Sequence, residues 1–236
     1  MKKLMLCAFL ALFFLQSACF AEEAKDIMQK VREKDQNIGK VFKTFRMLYE
    51  KKAPWGFTGS FETLIKGDKK RMNNGSGTFT SDIVYDGKTY WSLLAFGGMV
   101  SKQTAKYYDE NDKGIFGWCK KFNDNVKLSG EEVIAGRNCW VIEGDGGEEY
   151  LKKIWVDKKS LSLIKAEGGN MKLVNSEFKA LNDDYEVPMK TDIFKEDKID
   201  MAIVVKVLEV DKEIADAVFK VDAKTENNPF EGLFGK

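Results

Sequence analysis

The sequence predicts a mainly β (α+β) protein built on a single curved antiparallel sheet, with a few short helices as cover. Three observations predict it. Apolar and polar residues alternate along most segments after residue 41, as expected of strands with one buried face. Short turn signals such as Asp86-Gly87 separate these segments. Helical spacing of apolar residues is limited to a few short stretches, of which 22–37 is the longest.

The first residues have the pattern of a signal peptide. Lys2 and Lys3 precede an apolar run of about twelve residues, shorter than the roughly 20 that a membrane-spanning helix needs. We therefore expect residues 1–21 to be a signal peptide cleaved after Ala21, with export to the periplasm. The alternative is a lipoprotein anchored through Cys19, because Ser17-Ala18-Cys19 is similar to the end of a lipobox.

The first mature element is predicted to be an amphipathic helix over Glu22–Asn37, with one apolar face and one charged face. Charged or Asn/Gly-rich turns are predicted at Lys66–Lys70 and Asn73–Gly77, and a closing helix or turn at Lys212–Phe219. The polar stretch 223–236 is predicted to be a flexible tail. Ten strands are predicted, over residues 41–51, 57–66, 79–85, 88–96, 138–143, 149–157, 160–167, 171–181, 190–195 and 199–210.

The region 97–128 interrupts this pattern, and a short helix near residues 115–122 is the only element expected in it. Neither a repeat nor a linker is visible, so residues 22–222 are predicted to form one domain. Without residues 1–21 the chain has 36 basic and 37 acidic residues. A nearly neutral chain with no separate basic cluster is not expected to bind nucleic acid, and we expect a monomer.

The chain has no histidine, which removes the commonest general base and the commonest metal ligand. We therefore predict a protein that is not an enzyme and has no catalytic residues, no metal and no cofactor. The segment from Asp109 has the glycine of a calcium loop, but Lys113 and Lys120 occupy positions that require oxygen ligands. Cys119 and Cys139 are a candidate disulfide in an oxidising compartment, and two buried thiols are the alternative.

Methionine and aromatic residues occur in nearly every predicted element. A sheet of about ten strands has more apolar inner surface than two or three short helices can cover, so we expect an apolar cavity that binds an apolar ligand. For any one of these side chains, an ordinary core position is the alternative. The predicted cavity-lining residues are Phe45, Met47, Phe57, Phe61, Ile65, Phe79, Trp91, Ile154 and Met171.

Five segments, in this order and spacing, resemble the bacterial outer-membrane lipoprotein carrier (LolA-like) family, and the resemblance runs from about residue 22 to 222. They are VYDGKTYW at 84–91, GRNCWVIEG at 136–144, IWVDKKSLSLIKAE at 154–167, EVPMKTDI at 186–193 and IADAVFKVD at 214–222. The opening helix fits as well. The resemblance implies an incomplete barrel in which helices close a hydrophobic cavity.

The resemblance also implies a periplasmic carrier of lipoprotein acyl chains or lipids, which passes them toward the outer membrane. Its expected partners are an inner-membrane release complex and an outer-membrane acceptor. A lipid- or lipoprotein-sensing interaction protein of the envelope is the alternative. The chain lacks the basic-proline strand motif of the best-known carriers and has Lys66–Met72 there. Arg71 is therefore not assigned the latch role of the carriers' arginine, and the cargo stays open.

Overall fold

The computed structural model describes residues 23–76, 79–96, 99–104, 122, 125–144 and 151–221. Helix α1 spans residues 23–36, close to the predicted helix, and helix α2 spans Ile38–Val41. Of the predicted closing helix at 212–219, only Asp216–Phe219 is helical, and it forms a 3-10 turn. None of the helices in the described ranges is long and apolar enough to cross a bilayer.

Thirteen strands make up the rest of the described chain. The first seven are β1 Thr44–Lys52, β2 Thr58–Lys66, β3 Lys69–Ser76, β4 Phe79–Tyr85, β5 Tyr90–Phe96, β6 Met99–Thr104 and β7 Lys127–Ile134. The other six are β8 Arg137–Glu143, β9 Lys153–Asp157, β10 Leu163–Gly168, β11 Met171–Ala180, β12 Glu186–Lys195 and β13 Lys198–Val210.

All thirteen strands belong to one sheet, in the order β6-β5-β4-β3-β2-β1-β13-β12-β11-β10-β9-β8-β7. Strands β6 and β7 are its two edges, so the sheet is not closed into a barrel. The predicted fold class, a mainly β protein with an open antiparallel sheet and few short helices, is confirmed. Tight hairpins join many neighbours. Glu196 and Asp197, between β12 and β13, both have positive φ (50° and 59°), as type I′ turns require.

Three strands were missed at the sequence level, and each has a local reason. Strand β3 includes residues of both predicted turns. Lys69 and Lys70 of the first turn and Asn73–Ser76 of the second pair with the neighbouring strands β2 and β4. A polar strand of this kind is held by backbone pairing and shows no apolar alternation. Strands β6 and β7 lie within or overlap the region where the sequence pattern breaks; the short helix expected at 115–122 lies outside the described residues apart from Phe122.

The contacts divide the chain into two compact units. The described residues of the first unit are 23–34, 122, 125–144, 151–187 and 193–198. Those of the second unit are 35–76, 79–96, 99–104, 188–192 and 199–221.

The first unit has a core between helix α1 and one face of strands β8, β9 and β10. The helix contributes the apolar face that its sequence spacing predicts, at Ala24, Ile27, Met28 and Val31. Opposite it, Ile142, Ile154 and Val156 are fully buried. The Tyr185 hydroxyl also donates a hydrogen bond to the Lys34 carbonyl at 3.1 Å, which fastens the end of the helix. The reverse face of these strands buries a smaller cluster around Trp155, Val141 and Ile164.

In the second unit, the segment after β13 covers one face of β2 to β5. Ile214 and Phe219 pack there with Leu64 and Val84. Arg71 holds this segment in place, because its Nη1 donates to the Val218 carbonyl at 2.9 Å while its guanidinium pairs with Asp82. The opposite face of the same strands carries the candidate site.

Candidate functional site

Four neighbouring strands of the second unit place a set of apolar side chains on one surface. Along β1, alternate residues Phe45, Met47, Tyr49 and Lys51 point to the same side, and directly paired residues of adjacent strands share that side. Their partners on β2 are Ile65, Thr63, Phe61 and Gly59. We call this surface the apolar face; it continues through Met72 on β3 to Ile83 on β4.

Burial falls steadily along the apolar face. Near helix α2, Phe45 is completely buried and Ile65 and Met47 are 3% and 7% exposed. Gly39 explains the close cover at this end, because a Cβ there would lie 2.8 Å from the Gly67 carbonyl oxygen and 3.1 Å from Ile65 Cγ2. Farther along, Tyr49, Phe61, Met72 and Ile83 are only partly buried, and Phe79 is 42% exposed. The face therefore has a covered half and an open half.

The open half contains an aromatic platform made of Tyr49 and Phe61, whose rings stack with centroids 5.3 Å apart and planes 6° apart. Gly59 makes room for it. A Cβ at Gly59 would lie 2.9 Å from the Phe61 ring and 3.1 Å from the Phe57 ring. The Lys51 ammonium lies over the platform, 4.2 Å from the Phe61 centroid and 5.9 Å from that of Tyr49.

The surroundings of the platform are partly dehydrated. Burial raises the pKa of the Tyr49 hydroxyl and lowers the pKa of the Lys51 ammonium, because in each case it disfavours the charged form. The open half therefore combines aromatic and aliphatic groups with the polar Asn74 and Ser81, which share the side of Phe61, and the Lys51 ammonium lies above it.

Six of the nine predicted cavity residues lie on or beside the apolar face. Phe45, Met47 and Ile65 belong to its covered half. Phe61 and Phe79 belong to its open half, since Phe79 pairs with Ser76, which is on the same side of β3 as Met72. Phe57 precedes β2; its ring lies close to Gly59 and 5.5 Å from that of Trp55.

Trp91 lies on the opposite face of the same strands. It pairs directly with Val84 and packs in the cluster formed by Leu64, Val84, Ile214 and Phe219. The structure therefore does not bring Trp91 together with the other predicted residues of this unit. Ile83 and Trp91, which lie before and after the Asp86-Gly87 turn, are on opposite faces of the sheet. The sequence did not reveal this difference.

Ile154 and Met171 belong to the first unit. Ile154 is completely buried under helix α1 and forms part of the core. Met171 is partly buried, and the pairings through Ala166 place it on the same face of its unit as Ile154.

Cys139 is completely buried in the cluster with Val141, Trp155 and Ile164, and burial raises the pKa of its thiol. Cys119 lies outside the described residues, so the disulfide between the two stays a prediction.

Sequence reasoning missed Tyr49, Lys51 and Gly59 as site residues. The signal for the first two was present, because the alternation that selected Phe45 and Met47 continues through Tyr49 to Lys51. Gly59 carries no side chain and gives no such signal. Its importance follows from the two rings that lie over it.

One set of part-buried charges in the first unit is paired. Arg137 contacts Glu186 through both terminal nitrogens, at 2.6 and 3.1 Å, and Asp157 at 3.1 Å. Burial is the largest influence on Glu186 and raises its pKa, but hydrogen bonds from Arg137, Ser160 and Ser162 outweigh it and leave that pKa lowered. Within the described residues, no group of three or more Cys, Asp or Glu side chains is placed to hold a metal ion.

Two solved structures match most of the chain. One is a putative outer membrane lipoprotein-sorting protein domain from Vibrio parahaemolyticus, at 14% identity and TM-score 0.58, covering 84% of this chain and 97% of that one. The other is a DUF1329 family protein from Desulfovibrio piger, at 14% identity and TM-score 0.57, covering 85% and 97%.

A LolA superfamily protein from Nitrosomonas europaea matches at 14% identity with a TM-score of 0.48, covering 82% of this chain and 97% of that one. No protein-family model and no curated protein matches the chain. The two structures above a TM-score of 0.5 confirm, at the level of the fold, the resemblance to the lipoprotein carriers that the sequence indicated.

Proposed function

We propose that the protein is a non-catalytic carrier that binds acyl chains of lipoproteins or lipids on the open half of the apolar face. The observation that carries this proposal is the change of burial along one surface, from 0% exposure at Phe45 to 42% at Phe79. A folded protein gains by covering such a surface. The aromatic rings that remain accessible are a ready contact for a flexible hydrocarbon chain.

The energetics favour a guest of this chemistry. Burying one methylene group stabilises a complex by about 0.8 kcal/mol, so a chain of roughly ten methylenes in contact supplies several kcal/mol before ordering costs. No catalytic group is needed for that binding, and the chain lacks histidine throughout.

The cellular setting of the proposal comes from the sequence and from the fold. Residues 1–21 have the pattern of a signal peptide, which supports export to the periplasm and cleavage after Ala21, with a lipid anchor at Cys19 as the alternative. The lipoprotein-sorting fold supports transfer toward the outer membrane, with a release complex and an outer-membrane acceptor as partners of a monomeric carrier. We propose that residues 22–222 form one domain; the tail predicted at residues 223–236 lies outside the described residues.

A lipid-transfer assay with Phe61→Glu tests the proposal. Delipidated protein is mixed with vesicles that contain a radiolabelled phospholipid or lipopeptide, and label is followed to the protein and then to acceptor vesicles. We expect Phe61→Glu to lose binding, because it removes one of the two rings of the aromatic platform and places a hydrated carboxylate, next to the Lys51 ammonium, on the surface that the hydrocarbon chain would cover. Thr58→Glu is the matched control, since Thr58 is exposed, lies on the other side of β2 and pairs with Lys52.

The outcomes separate the possible functions. Failure of the wild-type protein to take up any lipid would exclude both carriage and sensing. Uptake without delivery to acceptor vesicles would replace the carrier by the lipid-sensing alternative. Equal binding by wild type and Phe61→Glu would remove the open half of the apolar face from the site.

A further inference from the structure

The apolar face ends at a lysine whose charge has no counter-ion in the described chain. Lys51 is paired with Gly59 on β2 and with Ile203 on β13. Neither neighbour carries a charge. The carboxylate next in sequence, Glu50, lies on the opposite side of β1, where it contacts Lys52 at 3.3 Å and Lys206 at 3.7 Å.

The position of the Lys51 ammonium is nevertheless defined. Its contacts are the two rings of the aromatic platform, at 4.2 and 5.9 Å from the centroids. An ammonium group has three N–H donors. A ring face stabilises the positive charge but accepts hydrogen bonds poorly, so the donors of Lys51 remain available to a guest.

Without a bound guest, the partial burial of the charged Lys51 ammonium is energetically unfavourable. Dehydration of the Lys51 side chain is the cause of its lowered pKa, and no nearby carboxylate opposes that effect. The charge of Lys52, the next residue, is by contrast hydrated and compensated, because its side chain is exposed and paired with Glu50. The uncompensated cation thus lies on the side of the sheet that carries the apolar face.

We propose that Lys51 is the counter-ion for the head group of the guest, and that the guest is therefore an anionic amphiphile. Its chain lies on the open half of the apolar face, and its carboxylate or phosphate accepts hydrogen bonds from the Lys51 ammonium. This inference rests on the proposed function and adds the charge of the cargo to it. A charge-assisted hydrogen bond in a partly dehydrated site is among the stronger single polar contacts.

The test compares guests that share one chain and differ in the head group. Oleate, oleoyl lysophosphatidic acid, oleyl alcohol and oleylamine compete with a fluorescent acyl probe bound to the delipidated full chain. We expect wild type to bind both anions about tenfold more tightly than the alcohol, which is about 1.4 kcal/mol, and the amine more weakly than the alcohol. The carboxylate and phosphate arms distinguish the two sources of negative charge.

Three variants locate the effect. Lys51→Met keeps the length of the side chain on the aromatic platform but removes the ammonium, so we expect it to lose the preference for oleate over oleyl alcohol, measured as the ratio of the two affinities. Lys51→Arg should keep most of that preference. Lys52→Met is the matched control, because it removes the same charge one residue away on the other side of the sheet, and its preference should equal that of wild type.

The failures are distinguishable. Equal affinity of wild type for oleate and oleyl alcohol would overturn the role of Lys51 and leave lipid binding in place. Loss of binding to all four guests in Lys51→Met, or loss of anion preference in Lys52→Met, would also overturn it. Absence of binding by any guest to wild type would defeat the proposed function itself.

Discussion

The two units differ in how completely an apolar face of the sheet is covered. In the first unit, helix α1 covers the face of β8 to β10 so completely that Ile142, Ile154 and Val156 are inaccessible. In the second unit, helix α2 covers one end of the apolar face, and the rings of Phe61 and Phe79 remain partly accessible. Apolar strand faces therefore become a closed core or a partly exposed surface according to the cover that they receive.

The largest expected effect contrasts one residue from each region. Ile154→Ala should lower the free energy of unfolding by about 2–5 kcal/mol, because it leaves a cavity beneath α1. Phe61→Ala, although it removes a larger side chain, should cost only about 1 kcal/mol, since its ring is partly exposed. Urea denaturation of both variants measures this difference.

Val133→Ala, at a position that is 67% exposed on β7, is the control and should change the stability by less than about 0.5 kcal/mol. Equal losses for Ile154→Ala and Phe61→Ala would show that the two faces are equally closed, and the comparison would fail.

The closed region also depends on a set of buried charges. Arg137→Met should cost about 2–3 kcal/mol at pH 7, because Glu186 and Asp157 would lose their shared cation. The pKa of Glu186 is lower in the folded state, so its contribution is present above its unfolded pKa of roughly 4.3 and is lost as pH falls through the folded value.

The difference in unfolding free energy between wild type and Arg137→Met should therefore narrow as the pH falls from 7 through the lowered pKa of folded Glu186, because the protonated carboxyl no longer pairs with Arg137. Urea titrations across this range measure it, and Arg137→Lys should keep part of the stability. A gap that stays constant with pH would show that the loss comes from packing of Arg137 on the Phe178 ring, 4.2 Å away, and not from the charges.

A smaller effect is expected where α2 meets the apolar face. Gly39→Ala places a methyl group against the Gly67 carbonyl oxygen, a backbone atom with little freedom to move. We expect a loss of about 1–3 kcal/mol, the usual cost of overpacking. Unfolding curves measure it, with the exposed Lys40→Ala in the same helix as control. Unchanged stability of Gly39→Ala would mean that α2 does not cover this end tightly.

The sequence predicted most elements of the fold, for reasons that lie in single segments. The spacing of Ala24, Ile27, Met28 and Val31 was enough to predict helix α1 and the face that it buries. Strand β3 was missed because its residues are mostly polar and its place is set by the strands on both sides. Pairing between distant segments leaves no trace in the alternation of a single segment.

The candidate site was predicted less completely. Phe45, Met47, Phe61, Ile65 and Phe79 do share one face, as strand alternation indicated. Trp91 was included as an aromatic residue of a predicted strand, yet its pairing with Val84 puts it on the other side of the sheet. Alternation separates two faces of a strand but does not say which face of the sheet each one joins.

The sequence by itself determined the chemical character of this protein: an amphipathic opening helix, a mainly β chain, an excess of apolar side chains over helical cover, and the lack of any histidine. Only the tertiary structure decided which apolar residues are covered and that Lys51 lies over two rings with no carboxylate of the described residues beside it. The physical reason is that composition and periodicity are properties of local segments. Burial and charge compensation depend on what the rest of the folded chain brings to the same place.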